Sequence, residues 1–242
     1  MQIKPIDSSI LTTNDKYTNV SASNAITITS LTSSLFTRCV PDRSQLQNRF
    51  NGPGLLLVSK HEILRAEYHD FFPDKMMIIQ RGYIEAEIKD FGTVVCSHFS
   101  YLLDLSLEYD DTIGFKDYKE QQLAEIAIID NKFGSRDHVI MADFNTGPRV
   151  ETADSPDKVL VGEVPENYQV WLDHGYNTTY MTDDGRCTRC IENKLLDGQN
   201  NAVDFIMFKG NYIAGKEERV LDCYPPMSDH YGVRRTVCKR GE

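Results

Sequence analysis

The run His138-Val139-Ile140-Met141-Ala142, ending in Asp143-Phe144-Asn145-Thr146-Gly147-Pro148, constrains this chain more than any other stretch. Its apolar residues do not alternate with polar ones, so the pattern predicts a strand covered on both faces. The strand stops where Asp-x-Asn meets Thr-Gly-Pro, which delivers a carboxylate and an amide to its carboxyl end. Open α/β sheets bind their ligands at that end. The acid can orient water or move a proton, and the amide can donate to an anionic oxygen. An Asx turn that simply closes the strand fits the same residues.

The flanking sequence predicts what surrounds this strand. Leu55 to Lys60, entered from Phe50-Asn51-Gly52-Pro53-Gly54, is an apolar run that predicts another strand buried on both faces. Met76 to Ile79 and Gly82 to Ile88 read as strands, and Asp90-Phe91-Gly92 turns the second into Thr93 to His98. Tyr118 to Ile129 carries Leu123, Ile126 and Ala127 at helical spacing, and Tyr168 to His174 predicts a short helix. Thr182 to Arg189 reads as a polar loop. Val203 to Phe208 is a strand carrying an Asp, and a last strand runs from Val233 to Val237. Helix alternating with strand predicts an α/β domain.

Residues 1 to 34 are rich in Ser, Thr and Asn and read as a polar leader, with Ala25 to Thr29 as a candidate edge strand. One domain over residues 35 to 242 accounts for the rest, with no internal repeats. A net charge of −10 argues against broad attraction to nucleic acid or anionic lipid, while leaving room for a local basic or metal-filled groove. No stretch approaches the ~18 apolar residues of a spanning helix, and no signal-peptide pattern opens the chain. The sequence therefore reads as soluble with its compartment open: cytoplasmic, or secreted if the N-terminus is incomplete. Six cysteines are too few in a chain of 242 residues to act as a disulfide framework. Cys187 and Cys190 lack a second pair at zinc-finger spacing, which leaves a local disulfide or free thiols. His61, His69 and His174 have no partners at ligand spacing and read as surface or packing residues.

Four strand ends carry polar residues that a core would not select: His98, Asp143 with Asn145, Asp204, and Asp229 with His230. Each has a plain reading alone, His98 as a satisfied core histidine and Asp204 as a turn cap. Together they supply what metal-assisted phosphodiester cleavage needs: a base for water, donors for a charged phosphorane and carboxylates for a divalent ion.

Six segments carry a resemblance: Gly54 to Lys60, Arg81-Gly82, Ser97-His98-Phe99, Ala142 to Thr146, Val203 to Ile206, and Ser228-Asp229-His230-Tyr231-Gly232-Val233. In this order they resemble the motifs of the endonuclease/exonuclease/phosphatase superfamily, over residues 35 to 242. The resemblance implies the DNase I-like four-layer α/β sandwich, two packed mixed β-sheets flanked by helices. Phe50 to Lys60 and Cys187 to Leu196 are similar to the neutral sphingomyelinase branch. The resemblance assigns His230 as the general base, with Asp204 fixing its tautomer. His98 would stabilise the transition state or protonate the leaving group, Asn145 would donate to a phosphoryl oxygen, and Asp143 would position water or substrate. Asp229 would contribute to a Mg²⁺ site, directly or through water, with other divalent cations as alternatives.

Family members also bring an early strand ending in Gln-Glu, whose Glu is the principal metal ligand. Residues 1 to 53 contain no Glu, as though the first strands were missing or replaced; Glu62 and Glu67 are candidate substitutes. The leading expectation is hydrolysis of a phosphodiester, with a phospholipid headgroup such as that of sphingomyelin favoured over nucleic acid and peripheral contact with a membrane. A neutral choline headgroup suits an acidic chain better than a polyanion does. A Mg²⁺-dependent DNase-like endonuclease is the second expectation. A catalytically impaired or truncated family member acting as a binding module is the third.

Overall fold

The computed structural model describes residues 25–30, 54–74, 81–101, 114–148, 164–178, 187–195, 200–221 and 228–240. Five strands form the first sheet in the order β2-β3-β4-β5-β6: β2 (Ile63–Asp70), β3 (Gly82–Ile88), β4 (Gly92–His98), β5 (His138–Asp143) and β6 (Asp204–Lys209). The sheet is mixed, with β4 and β5 parallel and the other pairs antiparallel. In the second sheet, β9 (Gly232–Lys239) pairs antiparallel with β1 (Ala25–Ser30), β7 (Tyr212–Ala214) and β8 (Glu218–Val220). The alternating piece near the N-terminus is thus an edge strand of this sheet.

Strand β5, between β4 and β6, is buried at every position. Ile140 and Ala142 face a cluster with Phe99, Ile126, Ile129, Phe133, Phe144 and Trp171, the layer made by helices α1 (Tyr118–Phe133) and α2 (Pro165–Asp173). Val139 and Met141 face a second cluster with Phe91, Tyr212, Val233 and Val237, between the two sheets. That is why the run lacks alternation: each face of the pleat meets an apolar layer. Helices, first sheet and second sheet together make the α/β sandwich.

The connection between β4 and β5 needs a crossover because they are parallel, and α1 supplies it. Asp117 caps α1 by accepting from the Glu120 amide at 2.9 Å. The apolar spacing locates this helix but not its buried face: Leu123 is 41% exposed, whereas Gln121, Gln122 and Glu125 are buried with Ile126, Ile129 and Phe133. A buried polar face is unusual for a helix, and it lies against the end of β4, where Ser100 takes its hydrogen bonds.

The strand expected over Leu55 to Lys60 does not form. Those residues join no ladder; Leu55 is buried but Val58 is 79% exposed. The strand is instead Ile63–Asp70, whose residues are mostly exposed. Among the described residues its one partner in the sheet is β3, so backbone pairing, rather than burial, makes it a strand, and an apolar run is a poor guide to such an element. The strand expected over 76 to 79 lies outside the described residues, as does Thr182 to Arg186 of the expected polar loop. The turn into β4 forms as expected, with positive φ at Asp90 and Gly92.

Candidate active site

Register brings the site together. His98 pairs with Asp143 across the parallel β4–β5 ladder, and Asp143 pairs with Asp204 across the antiparallel β5–β6 ladder. One transverse row therefore carries three of the expected residues, the first two at strand ends and Asp204 at a strand start. His230 comes from the other sheet, two residues before β9. Its Nδ1 lies 2.9 Å from Asp204 Oδ2 and 3.8 Å from Asp143 Oδ2. His98 Nε2 lies 3.4 Å from the same Asp143 Oδ2, so this oxygen stands between two imidazoles.

The Asp-x-Asn segment is both an Asx turn and part of the site. Asp143 Oδ1 accepts from the Asn145 amide at 2.9 Å, and Asn145 adopts φ 48°, a left-handed conformation that Asn tolerates. The side-chain amide of Asn145 donates to the Phe99 carbonyl at 2.9 Å, and the Phe99 amide donates to the Asp143 carbonyl at 2.9 Å. One of the two Nδ2 hydrogens is thereby committed to fixing the strand ends. Gly147 permits the following close approach, since a Cβ there would stand 1.9 Å from the Ala202 carbonyl oxygen.

Behind the row lies a polar shell that apolar periodicity does not reveal. Gln122 Nε2 donates to the carbonyls of Ser100 at 2.6 Å and Asn145 at 3.1 Å, bridging the residues that follow β4 and β5. Glu125, fully buried on α1, accepts from the Ser100 amide at 2.9 Å and from the Ser100 hydroxyl. Burial pushes the Glu125 carboxyl up, against those hydrogen bonds and the nearby Arg81 charge. The only sequence signal for these residues was polar side chains on the helix face adjoining Ile126 and Ile129.

The electrostatics separate the two histidines. Burial alone would lower His230, but the charge of Asp204, its hydrogen bond, Asp143 and Asp229 outweigh it and raise the ring to about 10. With Asp204 as acceptor, Nδ1 carries the proton, and among the described residues Nε2 has no hydrogen-bond partner. His98 moves well below 6.5, first through desolvation and then through the cations Arg81 and His230. About a third of its side chain still meets solvent (32%), so it forms the neutral rim of the site. Asp143 is pushed up by burial and by the neighbouring Asp204 carboxylate.

Asp143, Asp204 and His230 place one potential ligand atom each within 4.8 Å of one another, and no other such group among the described residues contains two carboxylates. Two buried carboxylates side by side, one made harder to ionise by the other, are a donor set that fits a hard divalent cation retaining several waters. Asp229 is half-buried, accepts from Ser228 Oγ at 3.2 Å and adds negative charge near His230. Neither Glu62 nor Glu67 substitutes for the expected glutamate. Glu62 is exposed and bound to Lys89 at 2.8 Å, and Glu67 is exposed and paired with Arg65 on β2, three strands from β5. Cys187 and Cys190 form a disulfide, so they present no thiolates to zinc. His69 stacks on Tyr83 with centroids 5.0 Å apart, and His174 pairs with Asp130 at 2.9 Å, both outside the site.

No protein-family model matches the sequence, and no curated protein does. Solved structures do. One is an endonuclease/exonuclease/phosphatase from Beutenbergia cavernae, 16% identical over 76% of this chain and 47% of that one, with a TM-score of 0.51. Another is the 3'-5' exonuclease NExo of Neisseria meningitidis, 15% identical over 73% of this chain and 72% of that one, with a TM-score of 0.54. A substituted form of NExo, described as a 3' phosphatase bound to a product DNA hairpin, aligns at 14% identity over the same shares, with a TM-score of 0.53. The chain spans about half the length of the first of these. At such identities the likeness concerns the fold, which is the DNase I-like fold of endonuclease/exonuclease/phosphatase proteins.

Proposed function

We propose that this chain, built on the DNase I-like fold, hydrolyses phosphoesters by attack of water at the His98–Asp143–Asp204–His230 site. The observation that carries the reading is the row of His98, Asp143 and Asp204 on three adjacent strands, closed by His230 at 2.9 Å from Asp204. His230 deprotonates the water through Nε2 while Asp204 holds Nδ1–H and stabilises the imidazolium that forms. Asp143 orients the water from the adjoining strand end. His98, neutral because of its surroundings, donates a hydrogen bond to the phosphoryl group, a role its low basicity suits better than protonating the leaving group. Asn145 donates through its second Nδ2 hydrogen.

A divalent cation such as Mg²⁺ would be held by Asp143 and Asp204, with Asp229 lending charge, and when bound it supplies Lewis-acid neutralisation of phosphoryl oxygens. His230 serves as a base only in its neutral form, so with Asp204 raising the ring to about 10 the rate should climb as pH rises toward that value.

For the substrate, the net charge of −10 supports a diester with a zwitterionic headgroup, such as a choline phospholipid, reached by peripheral contact with a bilayer. The likeness to NExo, a protein seen with a DNA hairpin, favours nucleic acid as the second reading. Turnover of sphingomyelin vesicles, plasmid DNA and a 3'-phosphorylated oligonucleotide, each with added divalent cation, separates them. Cleavage of the nucleic acids alone would sink the lipid reading, and no turnover of any would point to a binding module.

A further inference from the structure

The loop before β6 grips both members of the Asp204–His230 pair. Thr188, fully buried, accepts through Oγ1 from the amides of Val203 at 3.1 Å and Asp204 at 3.2 Å. Its carbonyl accepts from the amide of Tyr231, the residue after His230, at 2.7 Å. On the other side of His230, Asn193 Nδ2 donates to the Ser228 carbonyl at 2.7 Å, and the Asn193 amide is tied to the Cys190 carbonyl at 2.9 Å. Thr188 also lies between the two cysteines of the Cys187–Cys190 disulfide. The closed ring therefore contains the residue that sets Asp204 and, through Tyr231 and Asn193, brackets His230.

The two sulfurs differ in a way that permits exchange. Cys187 is partly exposed, whereas Cys190 is fully buried with the Arg219 guanidinium 3.2 Å from its Sγ. Arg219 also donates to the Cys187 carbonyl at 3.3 Å and to Glu192 at 3.2 Å, and lies over the Tyr231 ring at 4.7 Å. A thiolate from a small dithiol or a dithiol protein can attack Cys187 Sγ. This forms a mixed disulfide and expels Cys190 as a thiolate that Arg219 stabilises. The second thiol of the reductant then displaces Cys187, leaving the reductant as a disulfide and the protein with two electrons and two protons gained. Unbonded sulfurs need more separation than bonded ones, and the packing around Cys190 leaves the loop itself to move.

We propose that the Cys187–Cys190 disulfide is a redox latch that positions the Asp204–His230 pair through Thr188, so that a dithiol reductant switches the site to a slower state. This rests on the hydrolase reading given above, with Thr188 as a positioning residue that does not touch substrate.

The test titrates the full chain with dithiothreitol, follows Cys187 and Cys190 by alkylation and mass spectrometry, and reads two signals. One is kcat and KM for bis(4-nitrophenyl) phosphate with added divalent cation; the other is the NMR signal of the His230 ring, assigned with His230→Gln. Reduction is expected to lower kcat on the order of 10- to 100-fold with KM little changed, and to shift the His230 signal in step. The double variant Cys187→Ser, Cys190→Ser is expected to start at the reduced level and ignore the dithiol. Thr188→Val should reproduce the loss and Thr188→Ser should restore the rate. Unchanged kcat and an unmoved His230 signal at full reduction would overturn the latch, as would a double variant that still responds. If the oxidised chain turns over no phosphoester, the hydrolase reading fails, and movement of the His230 signal still decides the latch. If the double variant does not fold, the titration of the native chain decides.

Discussion

Replacing Asp204 by Asn isolates the charge of the pair from its shape, because the Asn Oδ1 can still accept from His230 Nδ1. In the native protein the His230 ring rises from 6.5 to about 10, with Asp204 the principal raising influence, through its charge and its hydrogen bond. At ~1.36 kcal/mol per pH unit, that rise corresponds to ~5 kcal/mol in favour of the charged ring. Asp204→Asn removes most of this and leaves desolvation in command, so His230 should titrate at or below the ordinary histidine range. The stability consequence has a definite sign. A folded value above the unfolded one stabilises the protein below pH 6.5, and this contribution is lost as pH rises through about 10. The variant should lack that slope. Proton NMR titration of the imidazole signals in metal-free protein measures the shift directly, with thermal unfolding across the same pH range as the companion. Hydrolysis should fall by ~10²- to 10⁴-fold, the usual contribution of an oriented base. A His230 ring that still titrates near 10 in the variant would refute the assignment of its basicity to Asp204.

Three further outcomes follow from the packing. Glu217, fully buried and accepting from the Ile206 amide at 2.9 Å, is raised by burial from 4.5 to about 8. Its proton is therefore held more tightly in the folded state, and stability is eroded as pH rises from 4.5 through 8; Glu217→Gln should be the more stable protein at pH 9 by a few kcal/mol, read by denaturant unfolding. Trp171 is fully buried with its ring edge-on to Phe99 and Phe144, the residues following His98 and Asp143. Trp171→Ala should cost ~3–5 kcal/mol and loosen both strand ends, visible as a lower unfolding midpoint and faster amide exchange at Phe99 and Phe144. Gly147→Ala drives a Cβ to 1.9 Å from a backbone oxygen of Ala202, so it should lower the unfolding temperature, whereas Gly54→Ala meets open space and should cost less, its φ of 66° notwithstanding.

Much of this site was legible in the sequence because His98, Asp143 and Asp204 each bound an apolar run and His230 stands just ahead of one. Asp143 and Asp204 stand where a buried strand ends or begins, and the register of β5 against its neighbours then aligns them with His98. The run at Val139 to Ala142 read correctly for the same reason, since both of its faces are covered. Leu55 to Lys60 misled because apolar content reports burial, while β2 is held by backbone pairing and is mostly exposed. The buried face of α1 was illegible because it is polar: Gln122 and Glu125 satisfy backbone groups of Ser100 and Asn145, Gln121 donates to the Ser100 hydroxyl and the Glu125 carboxylate, and a hydrophobic stripe carries no trace of that. Thr188 was hidden as well, since its importance comes from two amides brought to it by the fold.

His98, Asp143, Asp204 and His230 are proposed to form a phosphoester-cleaving site with His230 as its base. The most direct test is the rate of bis(4-nitrophenyl) phosphate hydrolysis, with divalent cation, by the native chain and by His230→Gln. Turnover by the native chain is expected, with a loss of at least ~10²-fold in the variant and folding intact by circular dichroism. Equal rates in the two proteins would contradict it.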